Sequence, residues 1–259
     1  MKIEIVKNPK HGIEVAKRIL YKTVDSKTAL FLSGGTTPKP LYTKLAHEKK
    51  LNPGVVALID ERYGSHLHLN SNERMIKEAG LLDYLASQKI PYYGVLQDSL
   101  RHSGKRSQVP SGTWRSASRI SIAERDSGQA RMTLEKVAED YDKKVKYLFS
   151  RFQKRVAILG IGEDGHIAGL PAKSQISNLK SQIYVIGIND FPGEFKERIT
   201  FTFKALAKMD LLIVLVFGSA KQTALSLMFT KGTEEEIPAR FFKRPDITKK
   251  TIVITDQKV

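Results

Sequence analysis

The residue best suited to do chemistry in this 259-residue chain is His166, which ends a glycine-rich loop. Four apolar residues, Val156 to Leu159, predict a short buried strand, and the loop that follows contains Gly160, Gly162 and Gly165. A strand that delivers such a loop is how an open α/β sheet presents reactive groups at the carboxyl ends of its strands. Because an imidazole ring ordinarily titrates near neutral pH, we expect His166 to be a general base.

The three glycines also have the G-x-G-x-x-G spacing of a dinucleotide-binding fingerprint. The two residues between the second and third glycine are Glu163 and Asp164, whose charges would repel the pyrophosphate that this motif binds at a helix N-terminus. Pro171 interrupts the sequence before a long helix can follow. We therefore reject the dinucleotide site and expect the glycines to allow a sharp turn and a close approach. Asp164 and His166 are then the working side chains.

A second candidate site follows Thr28 to Leu32, an apolar run that predicts a strand buried on both faces of a parallel sheet. The loop after it reads Ser33-Gly34-Gly35-Thr36-Thr37, and Pro38 suits the first turn of the next helix. Glycine N–H groups and hydroxyls before a helix N-terminus are typical of a phosphate site. An ordinary tight turn is the alternative, and the pattern of a Walker loop is absent.

Charged residues follow or lie within further predicted strands. Asp60, Glu61 and Arg62 come directly after the predicted strand Val55 to Ile59, where plain loop solvation is the alternative explanation. Arg198 lies within RITFTF, and Lys221 begins a helix after the apolar run Asp210 to Phe217. Arg198 could instead form a surface ion pair with Glu197 or Asp190, and Lys221 could be a helix-surface lysine. Because parallel strands open at one edge of a sheet, we expect these groups to meet the two loops there.

The remaining pattern alternates strands and helices, and it predicts a single domain over residues 1–259. The expected fold is α/β, with a doubly wound, mainly parallel sheet and helices on both faces. A basic segment rich in Ser and Arg, at about 98–130, predicts a loop or insertion that could be a lid, a partner-binding arm or a tolerated insertion. The further strands predicted are Lys2–Val6, Gln182–Ile188, Phe195–Phe203 and Thr251–Ile254. The predicted helices are Pro9–Tyr21, Pro38–Glu48, Asn70–Leu85 and Met132–Phe152. Asn70 and Glu73 form the capping-box pattern that predicts the start of the third of these helices.

Composition excludes several classes of function. The chain has no cysteine, so disulfides, Cys-ligated zinc and thiol nucleophiles are excluded. The formal net charge of +16 favours anionic small molecules; no helix-turn-helix, zinc-finger or RNP-like pattern supports binding to nucleic acid. His66 and His68 lack an accompanying carboxylate cluster, so we interpret them as loop histidines and expect no metal. Without a signal peptide or a membrane-spanning run, we expect a cytoplasmic protein, either monomer or dimer.

This inventory indicates an enzyme that acts on a small phosphorylated molecule by acid–base chemistry without a cofactor. Five segments, in order, resemble those of 6-phosphogluconolactonases and the related glucosamine-6-phosphate deaminases. The resemblance covers most of the chain, from about Leu30 to Ala239. The segments are SGGTTPKPLY, DERYG followed by SNERM, LGIGEDGHIAGL, RITFT and GSAKQ. The resemblance implies the fold of that superfamily and a sugar-phosphate substrate.

Two details favour the lactonase branch. Lactonases typically have Asp-Glu-Arg where deaminases have Asp-Glu-Tyr, and this chain has Arg62. Deaminases follow the histidine segment with Asn-Glu-Pro, whereas this chain has Gly169-Leu170-Pro171. The resemblance therefore implies hydrolysis of 6-phospho-D-glucono-1,5-lactone in the oxidative pentose phosphate pathway.

The resemblance also implies a role for each candidate. His166 is the base, Asp164 orients it or shapes the loop, and Arg62 stabilises the oxyanion, with Asp60 as a further catalytic candidate. The phosphate lies on the loop from Ser33 to Thr37, with Arg198 and Lys221 as counter-charges. A histidine that is merely held in place by Asp60 or Asp164 is the structural alternative. Two other functions stay open: an amino-sugar-phosphate deaminase, or a non-catalytic protein that senses a sugar phosphate or binds RNA.

Overall fold

The computed structural model describes residues 1–96, 132–173 and 183–258, so the predicted insertion at about 98–130 lies outside the described residues. Within these ranges the strands, in chain order, are β1 (Lys2–Ile5), β2 (Thr28–Leu32), β3 (Val55–Leu58), β4 (Asp60–Arg62), β5 (Tyr92–Tyr93), β6 (Lys154–Gly160), β7 (Val185–Ile188), β8 (Arg198–Phe201), β9 (Leu211–Val216) and β10 (Thr251–Thr255). Seven of them form a sheet in the order β1-β10-β9-β6-β2-β3-β5, and every neighbouring pair is parallel.

The helices are α1 (Pro9–Thr23), α2 (Lys39–Glu48), α3 (Asn72–Glu78), α4 (Leu81–Ser87), α5 (Leu134–Arg151), α6 (Phe203–Ala207), α7 (Gln222–Phe229) and α8 (Pro245–Thr248). Every residue of β2 and β3 is buried, as expected for strands covered on both faces. The predicted three-layer α/β fold with a mainly parallel sheet is confirmed. None of the described helices has the length and apolar character that crossing a bilayer requires. A single domain over residues 1–259 stays a prediction.

One predicted helix, Asn70 to Leu85, is wrong in both its start and its continuity. Its N-cap is Ser71, whose Oγ accepts a hydrogen bond from the Arg74 N–H at 3.1 Å. Gly80 has φ of 79°, a left-handed conformation that ends α3 and lets α4 begin in a new direction. The capping-box pattern therefore identified a helix start, but one residue too early.

A second sheet contains β4, β8 and β7, which pair antiparallel. Asp60 to Arg62, which we placed directly after a predicted strand with loop solvation as the alternative, form a strand of their own, β4, with Asp60 opposite Thr200 and Arg62 opposite Arg198. The Phe201 N–H donates to the Ile59 carbonyl at 2.9 Å, and this bond joins the second sheet to the end of β3. Two arginines from distant parts of the sequence are thus placed side by side.

The order of strands places a crevice between β2 and β6. From β2 the chain adds β3 and β5 on one side, and it returns to add β6 on the other side. Loops that leave two such strands run in opposite directions, and this reversal is where open α/β sheets bind ligands. The Ser33 N–H donates to the Ile158 carbonyl at 3.1 Å, so the two loops begin next to each other.

Candidate active site

The loop after β6 holds the His166 ring against the backbone. The Gly162 N–H donates to the His166 carbonyl at 2.8 Å, and Ile161 and Ile167 form an antiparallel bridge. Gly165 has φ of 85° and makes the turn. A Cβ added to Gly162 would lie 2.0 Å from Nδ1 of His166, so only glycine leaves room for the ring. Gly162 therefore allows the His166 ring to lie close to the backbone of the loop.

Asp164 fixes the orientation of this ring. Its Oδ1 lies 2.5 Å from Nδ1 of His166 and 3.1 Å from the backbone nitrogen of the same residue. Partial burial acts to raise the pKa of Asp164, but the hydrogen bond and charge of His166 outweigh it and lower the pKa to about 2. Because a carboxylate only accepts, the network assigns the neutral ring a proton on Nδ1. Nε2 is then the nitrogen that can take a proton from a water.

Phe191 lies between the histidine and a buried cation. Its ring meets that of His166 edge to face, with 5.2 Å between centroids and an interplanar angle of 88°. The Arg198 guanidinium carbon lies 4.4 Å from the centroid of the same Phe191 ring. This aromatic spacer was not among the residues predicted from the sequence.

Arg62 and Arg198 both carry charge that no ion pair compensates within the described ranges. Arg198 is 9% exposed and donates from Nε to the Phe195 carbonyl at 3.0 Å. Burial lowers its pKa, and the neighbouring charge of Arg62 lowers it further. Arg62 donates from Nη1 to the Asn70 carbonyl at 2.7 Å. Neither arginine lies within 4.0 Å of a described carboxylate, so the surface pair of Arg198 with Glu197 or Asp190 does not form. Two adjacent guanidinium groups that lack a carboxylate partner favour the binding of an anion.

The Asp60 carboxyl lies deep in the same cluster. It is 6% exposed, and its Oδ2 accepts a hydrogen bond from Nδ2 of Asn72 at 3.0 Å. Oδ1 has no hydrogen-bond partner among the described residues. Burial raises the pKa of Asp60, while the charges of Arg62, Arg198 and His166 act to lower it. Asn72 was not predicted as a site residue.

Glu61, between Asp60 and Arg62, has a structural role. Its carboxylate is fully buried and accepts hydrogen bonds from the backbone nitrogens of Asn72 and Glu73, at 2.7 and 2.9 Å. The Ser71 hydroxyl and the Arg62 N–H donate to it as well, at 3.0 and 2.7 Å. Burial raises the pKa of Glu61 to about 7 even though these four donors lower it. The side chain joins β4 to the start of α3 and points away from the site, as alternation along a strand requires.

The loop after β2 presents unpaired N–H groups. None of the backbone N–H groups from Gly34 to Thr37 donates to another described residue, and α2 has no side-chain cap. Gly35 has φ of 95°, with nothing within 4 Å of an added Cβ, so glycine is needed there for its conformation. The Ser33 carbonyl accepts from the Tyr42 hydroxyl at 2.7 Å, which anchors the beginning of the loop. Such free donors at the start of a helix suit a phosphate.

Lys221 lies beside the histidine loop. It ends the short 3₁₀ turn Ser219–Lys221 that precedes α7, and its Nζ lies 3.9 Å from Oε1 of Glu163. This distance places the lysine next to the residues that precede Asp164. Among the described residues, no hydrogen bond joins Lys221 to the loop from Ser33 to Thr37.

The two loop histidines support the segment that follows β4. A ring nitrogen of His68, Nε2, lies 2.9 Å from the Arg62 carbonyl oxygen, and Nε2 of His66 lies 3.3 Å from Oε1 of Glu73. Within the described parts of the chain, no group of three or more potential ligands could hold a metal ion. Both histidines therefore contact protein groups, and His68 contacts the backbone of Arg62 directly.

The structure thus brings together an oriented imidazole, a carboxylate that orients it, a buried carboxyl and two cations that form no ion pair among the described residues. The Phe191 ring contacts both His166 and Arg198, and Arg198 lies opposite Arg62, so the elements that carry these residues converge. The loop with free N–H groups contacts the same cluster, because Gly34 packs against Asn72. This arrangement can activate a water and stabilise a developing negative charge.

Comparison with known proteins agrees with this architecture. A 6-phosphogluconolactonase from Synechocystis is 29% identical over 217 residues, which cover 82% of this chain and 76% of the relative. A 6-phosphogluconolactonase structure from Trypanosoma cruzi has a TM-score of 0.69 at 23% identity, and covers 99% of this chain and 94% of that one. A monomeric glucosamine-6-phosphate deaminase structure matches at a TM-score of 0.65 and 18% identity, covering 100% and 98%, so the fold is common to both activities.

The family model described as glucosamine-6-phosphate isomerases/6-phosphogluconolactonase matches residues 13–253. This range includes every residue of the candidate site, from Ser33 to Lys221. The chain belongs to the family of glucosamine-6-phosphate isomerases and 6-phosphogluconolactonases.

Proposed function

We propose that this protein hydrolyses 6-phospho-D-glucono-1,5-lactone to 6-phospho-D-gluconate. The observation that carries the proposal is the Asp164–His166 pair beside Arg62 and Arg198, two cations without a carboxylate partner among the described residues. Hydrolysis of a lactone needs a base for water and a positive charge for the oxyanion. The Synechocystis relative is named for this activity.

In the proposed mechanism, Nε2 of His166 takes a proton from a water whose oxygen attacks the lactone carbonyl carbon. The carbonyl π electrons move to its oxygen, and the resulting oxyanion is stabilised by the positive charge of Arg62. The oxyanion then re-forms the carbonyl, the bond to the ring oxygen breaks, and the imidazolium returns its proton to that oxygen. Asp164 holds the ring throughout and stabilises its charged form.

The substrate phosphate is assigned to the loop from Ser33 to Thr37. The unpaired N–H groups of this loop supply hydrogen bonds, and Arg198 and Lys221 supply positive charge. Asp60 Oδ1, which is buried without a described partner, accepts a hydrogen bond from the substrate or from the attacking water. The proposal requires no metal or organic cofactor, and it keeps the cytoplasmic location expected from the sequence.

The test is a comparison of three substrates with the purified wild-type protein. Freshly prepared 6-phosphogluconolactone should open faster than its spontaneous rate at controlled pH, and unphosphorylated gluconolactone should open at a rate at least ~10-fold lower. Glucosamine 6-phosphate should release no ammonia. Ammonia release without lactone hydrolysis would instead establish the deaminase activity. Binding of 6-phosphogluconate with no turnover of either substrate would establish a sensor.

A further inference from the structure

Asn72 contacts two separate parts of the candidate site through one side chain. Its Nδ2 donates to both the carbonyl oxygen and the carboxylate Oδ2 of Asp60, at 2.9 and 3.0 Å. Because both acceptors face the same nitrogen, the orientation of the amide is fixed by the network. The carboxamide oxygen then faces Gly34 in the loop after β2. Asn72 is 1% exposed, so water does not replace these contacts.

The contact with Gly34 explains why position 34 is glycine. Gly34 is not among the glycines with positive φ, so its backbone conformation is open to any residue. An added Cβ, however, would lie 1.9 Å from Oδ1 of Asn72, far inside contact distance. Gly35 differs, since it has φ of 95° and nothing within 4 Å of an added Cβ. Gly34 is therefore required by the Asn72 side chain rather than by a turn.

Asn72 is itself held in place from the backbone. Its N–H donates to Oε1 of the buried Glu61 at 2.7 Å, which fixes the first residue of α3 against β4. Side chains of this kind, locked by hydrogen bonds to a second layer of residues, keep reactive groups at a fixed geometry. Small errors in such geometry reduce rates strongly.

We propose that Asn72 is a positioning residue, whose carboxamide sets the place of the Asp60 carboxyl by hydrogen bonds and packs against Gly34 of the phosphate loop. This inference rests on the proposed function, because it assigns Asp60 and the loop from Ser33 to Thr37 to one bound substrate. Asn72 holds Oδ2 of Asp60, so that Oδ1 is left as the free acceptor. The Asn72 side chain therefore lies between the Asp60 carboxyl and the loop to which the proposed function assigns the phosphate.

The first test replaces the carboxamide. In Asn72→Ala, kcat for 6-phosphogluconolactone should fall at least ~30-fold, while KM changes less than about threefold because the loop N–H groups stay. The control is Asn52→Ala, an exposed asparagine before the amino end of β3, which should retain the wild-type rate. If Asn72→Ala folds poorly by thermal unfolding, Asn72→Ser takes its place with the same expected result.

The second test uses the contact with Gly34. Gly34→Ala keeps the backbone N–H but pushes the carboxamide away, so it should lose at least ~10-fold in kcat. In the Asn72→Ala background the same substitution should reduce kcat less than about twofold, because the carboxamide with which the added Cβ would collide is absent. If the double variant instead shows the product of the two single losses, the two residues act independently and the inference is overturned.

The third test measures the pKa of Asp60 and does not depend on enzyme activity. The groups that bear on its charge from neighbouring elements are Arg62, Arg198, His166, Tyr42 and Tyr141. All of them stay in Asn72→Ala, but the donor to Oδ2 is lost. The carboxylate is then less favoured, so the pKa of Asp60 rises, by roughly one unit for one hydrogen bond.

Carboxyl ¹³C NMR of aspartate-labelled protein measures this midpoint, with Asp60→Asn identifying the resonance. An unchanged midpoint in Asn72→Ala overturns the positioning role, whatever the rates. A raised midpoint in Asn72→Ala, found together with a wild-type protein that hydrolyses no lactone, would leave the positioning role standing and reject the proposed function. A raised midpoint together with the loss in kcat supports both.

Discussion

Adding one methyl group at Gly162 should displace His166, the proposed base. In Gly162→Ala the new Cβ would lie 2.0 Å from Nδ1 and 2.1 Å from Cε1 of His166, whereas ordinary contacts begin near 3.4 Å. The ring must therefore move by more than 1 Å. That movement also breaks the 2.5 Å contact between Nδ1 and Asp164. The perturbation thus acts on the position of the base without removing any functional side chain.

The size of the effect follows from the displacement. A reacting group misplaced by about 1 Å can cost about 10²-fold in rate, which corresponds to about 2.7 kcal/mol in the activation free energy. We expect kcat of Gly162→Ala to fall by at least that factor. KM should change little, because the loop from Ser33 to Thr37 is untouched. The assay is lactone hydrolysis at controlled pH, corrected for spontaneous opening.

The chain supplies a matched control two residues earlier. A Cβ on Gly160 would meet only the Leu215 carbonyl oxygen, at 3.9 Å, which is an ordinary contact. Gly160→Ala should therefore keep kcat within about threefold of the wild type. Equal activity of Gly160→Ala and Gly162→Ala in folded proteins would refute the reasoning, since it would mean that the His166 ring has no fixed place against the backbone.

Three further outcomes follow from the site. Asp164→Asn should lower kcat at least ~10²-fold. The pKa of Asp164 is lowered from 3.8 to about 2, so its contribution to stability is fully present above pH 3.8 and is lost as the pH falls through about 2. The difference in Tm between the wild type and Asp164→Asn should therefore shrink as the pH falls from 3.8 to about 2. Arg198→Gln should raise KM at least ~10-fold, because the substrate phosphate loses a charge-assisted hydrogen bond whose binding free energy corresponds to about that factor. Glu61→Gln turns an amide toward backbone donors and should lower the free energy of unfolding by about 1–3 kcal/mol in urea titrations.

The sequence was sufficient where one local pattern decides the structure. Thr28 to Leu32 was predicted as a buried strand with the bounds that the structure shows, because five consecutive apolar or small residues fit a strand covered on both faces. The crevice followed from the same reasoning, since loops after neighbouring parallel strands open at one edge. His166 and Asp164 are two residues apart, and their contact depends only on the loop between them.

The sequence was insufficient where partners lie far apart along the chain. Asp60 to Arg62 forms a strand only because Arg198 to Thr200 lies beside it, and three charged residues give no alternation to detect. The helix break at Gly80 was visible as a glycine, but helical periodicity on both sides outweighed it. Asn72 and Phe191 carry no motif that identifies their contacts, which depend on how separate elements pack.

The most direct test of the account is the rate of 6-phosphogluconolactone hydrolysis by the wild type and by His166→Ala, measured at constant pH against the spontaneous rate. The account predicts clear acceleration by the wild type and a loss of about 10²–10⁴-fold in kcat for the variant, with KM nearly unchanged. A folded His166→Ala protein that retains wild-type activity would contradict the assignment of the base. A folded wild type that does not accelerate the reaction would contradict the proposed activity itself.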